Sequence, residues 1–168
     1  MKLNIGGTSK IDGWYNLNKY QNGGIDFVQD ARDLSNFLDG NCTHVHCSHL
    51  LEHFTHIDAF KIVKEVYRIL KPDGTFSVSV PNLDELCNLY AIETDEQDKF
   101  VLSCMMLGGQ TNEEDTHRSG WTPAILSEVL FKAGFTKGDF VSHFPEMKDT
   151  SCRDFKGSFI SLNCVVTK

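Results

Sequence analysis

With 168 residues, a formal net charge of −7 and a sequence pI near 5.4, the chain can bury one substantial core but does not group the Lys and Arg that counterion release at a phosphate backbone requires. A nonspecific nucleic-acid binder is therefore not expected; a small or neutral substrate fits better. No apolar run approaches the roughly 18 residues of a membrane span, and Met1–Asn4 lacks the apolar region of a signal peptide, so a cytoplasmic protein is expected.

No Pro- or Ser-rich linker, repeat or block of like charge interrupts the chain, so residues 1–168 read as a single domain. The six cysteines (Cys42, Cys47, Cys87, Cys104, Cys152 and Cys164) contain no C-x-x-C pair and sit mostly in apolar segments, the pattern of buried, reduced thiols.

Taken in order, Lys2–Ile5 is a short apolar strand running into Gly6-Gly7-Thr8-Ser9, where missing side chains let backbone N–H groups approach a ligand. Trp14–Leu17 and Ile25–Gln29 are the next strand candidates, ending at Asn18 and at Asp30-Ala31-Arg32-Asp33. Gly6 and Trp14 are too close for the crossover of about a dozen residues that parallel strands usually need, so the first connection must be abbreviated. Val45–Cys47 is the heart of a fourth strand, in the stretch HVHCSHLLEHF from His44 to Phe54. Ile57–Leu70 then reads as a helix with an apolar stripe of Phe60, Val63, Tyr67 and Leu70, ended by Pro72 and Gly74. Phe76, Val78 and Val80 alternate with Ser77 and Ser79, the period of a fifth strand.

Asp84–Leu107 is helical but broken, with Thr94 and Gln97 as a capping box. Thr122-Pro123 opens a further helix that Gly134 ends. Asp139–Phe144 and Ser161–Thr167 close the chain as strands, read as an antiparallel pair. The order predicts an α/β sheet whose strand ends face a ligand.

KLNIGG, GWYNLN, QDARDL, HCSHLLEHF, LKPDGTFSVSVPN, LGGQ, HRSGWTP and SLNCVVTK resemble, in order and spacing, the short class I S-adenosylmethionine-dependent methyltransferases often found among bacterial glycan-biosynthesis proteins. That resemblance implies a Rossmann-like, seven-stranded, mostly parallel sheet with an antiparallel C-terminal hairpin, helices on both faces and a shortened first crossover. It implies S-adenosylmethionine as cofactor, S-adenosylhomocysteine as product, and a small-molecule or glycan-type acceptor. By position, Gly6, Gly7 and Thr8 match the loop under the methionine part of the cofactor, Asn18 the ribose-binding acid, Asp30 and Ala31 the pair at the adenine, and Ser48 and His49 the residues near the sulfonium. Thr8 stands where the family usually has its second glycine and Asn18 where it usually has a carboxylate.

For a hydroxyl acceptor a base helps, and histidine has a suitable pKa; His49, His53 and His117 are the candidates, with Arg118 to hold an anionic group of the substrate. No metal is needed for this chemistry. Two other readings stand beside it. A methyltransferase-like domain without catalysis is motivated by Thr8 and Asn18. A zinc metallopeptidase is motivated by His49-Leu50-Leu51-Glu52-His53, which is similar to the H-x-x-E-H signature of the inverzincins, with His49 and His53 as ligands and Glu52 as base. The bland reading has Glu52 and His53 solvating a helix start, with His44 and His46 exposed on one strand face.

Overall fold

A computed structural model describes residues 1–168. The strands are β1 (Lys2–Ile5), β2 (Tyr15–Asn18), β3 (Phe27–Val28), β4 (Cys42–Ser48), β5 (Leu70–Pro81), β6 (Lys137–Val141), a small hairpin of β7 (Asp154–Phe155) and β8 (Ser158–Phe159), and β9 (Ser161–Thr167). Seven of them form one sheet in the order β3-β2-β1-β4-β5-β9-β6. Only β9 runs antiparallel to its neighbours, so the expected mostly parallel sheet with antiparallel C-terminal strands is present.

Alternation along the strands sorts their side chains onto two unlike faces. Leu3, Ile5, Val45, Cys47, Phe76, Val78, Val80, Leu162, Cys164 and Val166 turn to one side and join helices α1 (His56–Ile69) and α4 (Pro123–Ala133) in a core of 27 buried residues. In α1 the buried stripe is Ala59, Ile62, Val63, Val66 and Ile69, one step round from the expected one; Phe60 and Tyr67 lie at its margin. Thr55 caps α1 and Thr122 caps α4 with Pro123 in its first turn and Gly134 after its end, as the sequence predicts for α4. The K-P-D-G turn is absorbed into β5, with Asp73 in the left-handed region and a register shift against β4.

The opposite face is polar and carries only short connections. Asn4, Asn16, His46, Ser79 and Asn163 point there and are all buried. No helix links β1 to β2, β2 to β3 or β3 to β4, although all four strands run in the same direction; the abbreviation expected for the first connection extends to the next two. Backbone in such helix-free loops must still find hydrogen-bond partners when it is covered. The asparagine amides supply them: Asn16 Nδ2 donates to the carbonyls of Ser9 and Gly24 (2.9 and 2.8 Å), and Asn163 Nδ2 donates to those of Ser142 and Ser151 (both 2.9 Å). Asn4 Nδ2 donates to Asn16 Oδ1 at 3.0 Å, tying two strands together beneath the first loop. A Cβ on Gly7 would fall 2.4 Å from both of these amide groups, so glycine there makes room for the asparagine pair.

His46, expected on an exposed face, is fully buried, and its Nε2–H donates to Asp149 Oδ2 at 2.6 Å. The loop from Ser142 to Gly157, with a 3-10 turn at Thr150–Cys152, folds over the histidine and removes it from solvent. Beyond the strand ends, α2 (Leu83–Ile92) and α3 (Glu96–Leu107) pack around Leu86, Leu102, Phe155 and Ile160. The cap of α3 is Asp95, whose carboxylate accepts from Gln97 N and Asp98 N; Thr94, expected there, instead donates its N–H to Glu93. None of the cysteines is paired; Cys42, Cys47 and Cys164 are buried, whereas Cys87 and Cys152 are exposed. No helix is long and apolar enough to cross a membrane.

Burial pushes the Asp149 carboxyl up, but hydrogen bonds from His46 and Ser151 outweigh it and hold it well below the usual carboxylate range. A carboxyl lowered in the folded state stabilises the fold above its unfolded pKa of about 3.9, and that contribution is lost as pH falls through the folded value. Asp149→Ala is expected to cost about 1.5–3 kcal/mol at pH 7, the range for hydrogen bonds to a charged group. The variant should also lose less stability than wild type when urea unfolding is repeated below pH 4.

Candidate functional site

The C-terminal ends of the parallel strands open on a cavity of about 310 Å³. Gly6 follows β1, Asn18 ends β2, Asp30 and Ala31 follow β3, and His49 follows β4, so four strand ends deliver these five residues to one wall. Leu17, Ala31, Leu50 and Phe54 supply apolar surface, while Lys19, Tyr20, Gln29, Arg32, Glu113, Glu114 and Arg118 complete a polar rim. Lys19 and Tyr20 both bond to Glu114, which ties the loop after β2 to the turn Glu113–Asp115 across the mouth.

The other residues matched to the cofactor lie elsewhere. Gly7, Thr8 and Ser48 line a neighbouring open groove of about 860 Å³ on the polar face, shared with Asp149 and Thr150; only Gly6 and His49 touch both spaces. The chain turns sharply at Gly6 (φ 84°), and a Cβ there would sit 3.3 Å from Leu50, filling part of the gap between the loop and the cavity wall. Asn18 braces this turn. Its Nδ2 donates to the carbonyls of Gly6 (3.3 Å) and Gly7 (3.0 Å), and its Oδ1 accepts from Tyr20 N. An aspartate could make neither donation, which gives a structural reason for the amide at this position. Asp30 caps the turn that follows it and forms a two-point pair with Arg32, whose guanidinium lies over the Phe54 ring. The Arg32 hydrogen bond holds the Asp30 carboxyl below its ordinary value despite burial.

A second cavity of about 380 Å³ lies under α2 and α3, lined by Glu52, Leu86, Phe100, Cys104, Met105 and His117 among others. His49 and His53 line both it and the first cavity, so these two rings stand between the two spaces. His49 turns the chain out of β4 with φ 48°, an uncommon backbone for a residue with a Cβ. Its N–H bonds to the Ser79 carbonyl across the sheet, which holds the turn in place. Ser161 Oγ donates to the Thr150 carbonyl, so His49 Nε2–H donates to Ser161 Oγ at 2.9 Å. The His53 and His117 rings meet edge to face at 4.9 Å. His117 Nδ1–H donates to the Met106 carbonyl, which leaves Nε2 with its lone pair free. Burial is the main cause that lowers the His117 pKa, partly opposed by nearby Glu52.

The three histidines offered as candidate bases thus all line the second cavity, and Arg118 lines the first. H-x-x-E-H does not form the two-histidine helical turn of a peptidase. With His49 left-handed and only the single 3-10 turn Leu51–His53 following, the two rings are not stacked one helical turn apart. Glu52, read from sequence as a solvated helix start, is instead 1% exposed. Its carbonyl accepts the N–H groups of Arg118 and Ser119 and docks the HRSG segment beside it. The rim residues Lys19, Tyr20 and Glu114 carried no motif and were not foreseen; Arg32 lay within QDARDL but was given no role.

Two substitutions test these placements. Asn18→Asp removes two donations and faces carboxylate oxygens toward carbonyls, so a loss of about 1–3 kcal/mol in denaturant unfolding is expected. His49→Gly should be more stable than His49→Ala by about 1 kcal/mol, because only the alanine retains a Cβ in the left-handed turn.

The site geometry can be set beside known proteins. Residues 13–78 match a family model described as a methyltransferase domain. Among solved structures, a SAM-dependent methyltransferase from Archaeoglobus fulgidus aligns with TM-score 0.65 at 14% identity, covering 99% of this chain and 85% of that one. A SAM-dependent methyltransferase from Thermotoga maritima, described as a possible histamine N-methyltransferase, aligns with TM-score 0.62 at 15% identity over 99% of this chain and 81% of that one. Human N-acetylserotonin methyltransferase in complex with SAM aligns with TM-score 0.57 at 15% identity over 99% of this chain and 47% of that one. No curated protein matches the sequence significantly. The chain therefore carries a methyltransferase-domain match over residues 13–78 and folds along nearly its whole length as SAM-dependent methyltransferases do.

Proposed function

We propose that the protein is a SAM-dependent methyltransferase acting on a hydroxyl or similar nucleophile of a small-molecule or glycan-type acceptor. The observation that carries this reading is the pair of cavities separated by His49 and His53: one at the strand ends suits the donor, the other under α2 and α3 suits the acceptor. The residues of the first cavity fit the cofactor. Leu17, Ala31, Leu50 and Phe54 offer apolar surface to a planar base, Asn18 and Asp30 offer oxygen acceptors to hydroxyl and amino groups, and glycine at position 6 keeps the loop clear of Leu50. When bound, the cofactor supplies a methyl group on a sulfonium, open to direct displacement.

The protein's task is then mainly alignment and exclusion of water. His49 is fixed by Ser161 and by its own backbone turn, so its ring holds a defined edge between the two spaces. His117, with Nδ1–H committed to Met106, can accept a proton at Nε2 from an acceptor hydroxyl in the second cavity. Arg118 lines the first cavity and can hold an anionic group there. A second reading, a domain that binds without catalysis, draws on Asn18 and Asp30, whose polar atoms are largely engaged within the protein.

Cofactor binding separates the two. S-adenosylhomocysteine at 100 times its dissociation constant is expected to stabilise the fold by about 2.7 kcal/mol. Asp30→Ala should weaken binding in calorimetry, while His49→Ala should bind the cofactor and lose turnover against a panel of hydroxylated acceptors. Absence of both binding heat and a melting shift at millimolar ligand would sink the enzyme reading.

A further inference from the structure

The second cavity holds a group that hydroxyl methylation leaves unused. Glu52 is 1% exposed and lines the cavity, yet neither carboxylate oxygen accepts a hydrogen bond from any protein group. His49 Nδ1 approaches Oε1 to 3.2 Å, close enough for an ion pair but outside hydrogen-bond geometry. A carboxylate withdrawn from water is costly unless a cation or donors compensate it. Its near neighbours are three imidazoles, those of His49, His53 and His117. One ligand atom each from Glu52, His53 and His117 lie within 4.8 Å of one another.

We propose that Glu52, His53 and His117 form a binding site for a first-row divalent metal ion of the zinc class, open toward the cavity under α2 and α3. The donor set of two imidazoles and one carboxylate suits such ions, and three protein ligands leave at least one coordination position for a substrate oxygen. The surroundings fit the role. His117 donates Nδ1–H to the Met106 carbonyl at 3.1 Å, which fixes the ring and presents Nε2 as a ligand. His53 Nδ1 is buried and also lacks a protein partner. The Glu52 main chain is anchored by the N–H groups of Arg118 (2.7 Å) and Ser119 (3.2 Å), so the loop bearing His117 is tied to the residue that supplies the carboxylate. Metal bonds of about 2.0–2.2 Å would require the three ligand atoms to draw somewhat closer, a change within reach of side-chain torsions.

This site differs from a zinc-peptidase arrangement, since the clustered ligand atoms belong to Glu52, His53 and His117 and not to His49, whose Nε2–H goes to Ser161. A bound ion would occupy the His117 Nε2 lone pair offered above to a hydroxyl proton, so the metal-loaded chain would not use His117 as its base; ion binding itself is measured without cofactor or acceptor. The untagged full chain, stripped with chelator, is dialysed against Zn²⁺ and analysed for bound metal, and Co²⁺ is followed by its visible absorption. One Zn²⁺ per chain and a protein-bound Co²⁺ spectrum are expected. Glu52→Gln and His117→Ala should each weaken Zn²⁺ binding at least about tenfold, the scale of losses for groups that support a metal. His143→Ala, at an exposed histidine, should leave it unchanged. If His117→Ala fails to fold by circular dichroism, Glu52→Gln decides, since it keeps the side-chain volume. Less than stoichiometric Zn²⁺, or equal affinity in wild type and Glu52→Gln, overturns the proposal.

Discussion

The polar face of the sheet is the constraint on which the rest of this structure depends. Parallel strands normally earn their coverage from crossover helices, yet β1, β2, β3 and β4 are joined without any. The face left bare is filled by side chains that hydrogen-bond to loop backbone, Asn16 to Ser9 and Gly24 and Asn163 to Ser142 and Ser151, and to other side chains, Asn4 to Asn16 and His46 to Asp149. Each bond contributes only about a kilocalorie per mole net, but an orphaned partner would cost more than that once buried. The loops are therefore held by satisfaction of their own polar groups rather than by apolar packing.

That arrangement reaches directly into the site. The loop ordered by Asn16 begins at Gly6 and Gly7, and the loop ordered by Asn163 and Asp149 contains Thr150, whose carbonyl fixes Ser161 and, through it, His49. Asn18 works in the same way at the cavity itself, donating to two carbonyls of the turn it faces. An amide can donate and accept at once, whereas a carboxylate only accepts, so an amide suits the two carbonyls of the turn it braces.

Much of the fold was legible in one dimension because it obeys simple periods. α4 carried its own start and stop in Thr122-Pro123 and Gly134, and β5 alternated as a strand should. α1 was found in place, but its buried stripe turned by one residue, because a helix packed on both a sheet and a neighbouring helix buries a wider arc than its most hydrophobic line. α3 was capped by Asp95 rather than Thr94, a choice between adjacent polar residues that only the local path of the backbone makes. The site was legible in part. Gly6, Asn18, Asp30, Ala31 and His49 share one cavity because each ends or follows a parallel strand, and strand ends are readable; Gly7, Thr8 and Ser48 are one or two residues removed and line the groove on the polar face.

The sequence by itself determined the strand and helix order, the short first connection and the resemblance to class I methyltransferases, since these rest on neighbours along the chain. Tertiary structure alone decided which histidines meet. His53 and His117 are far apart in sequence, and His46 is buried only because the loop bearing Asp149 folds across the sheet. It also decided that Glu52, which looks like an ordinary polar residue opening a helix, is shut away beside three imidazoles. Burial and long-range proximity come from the packing of distant segments, and no local pattern records them.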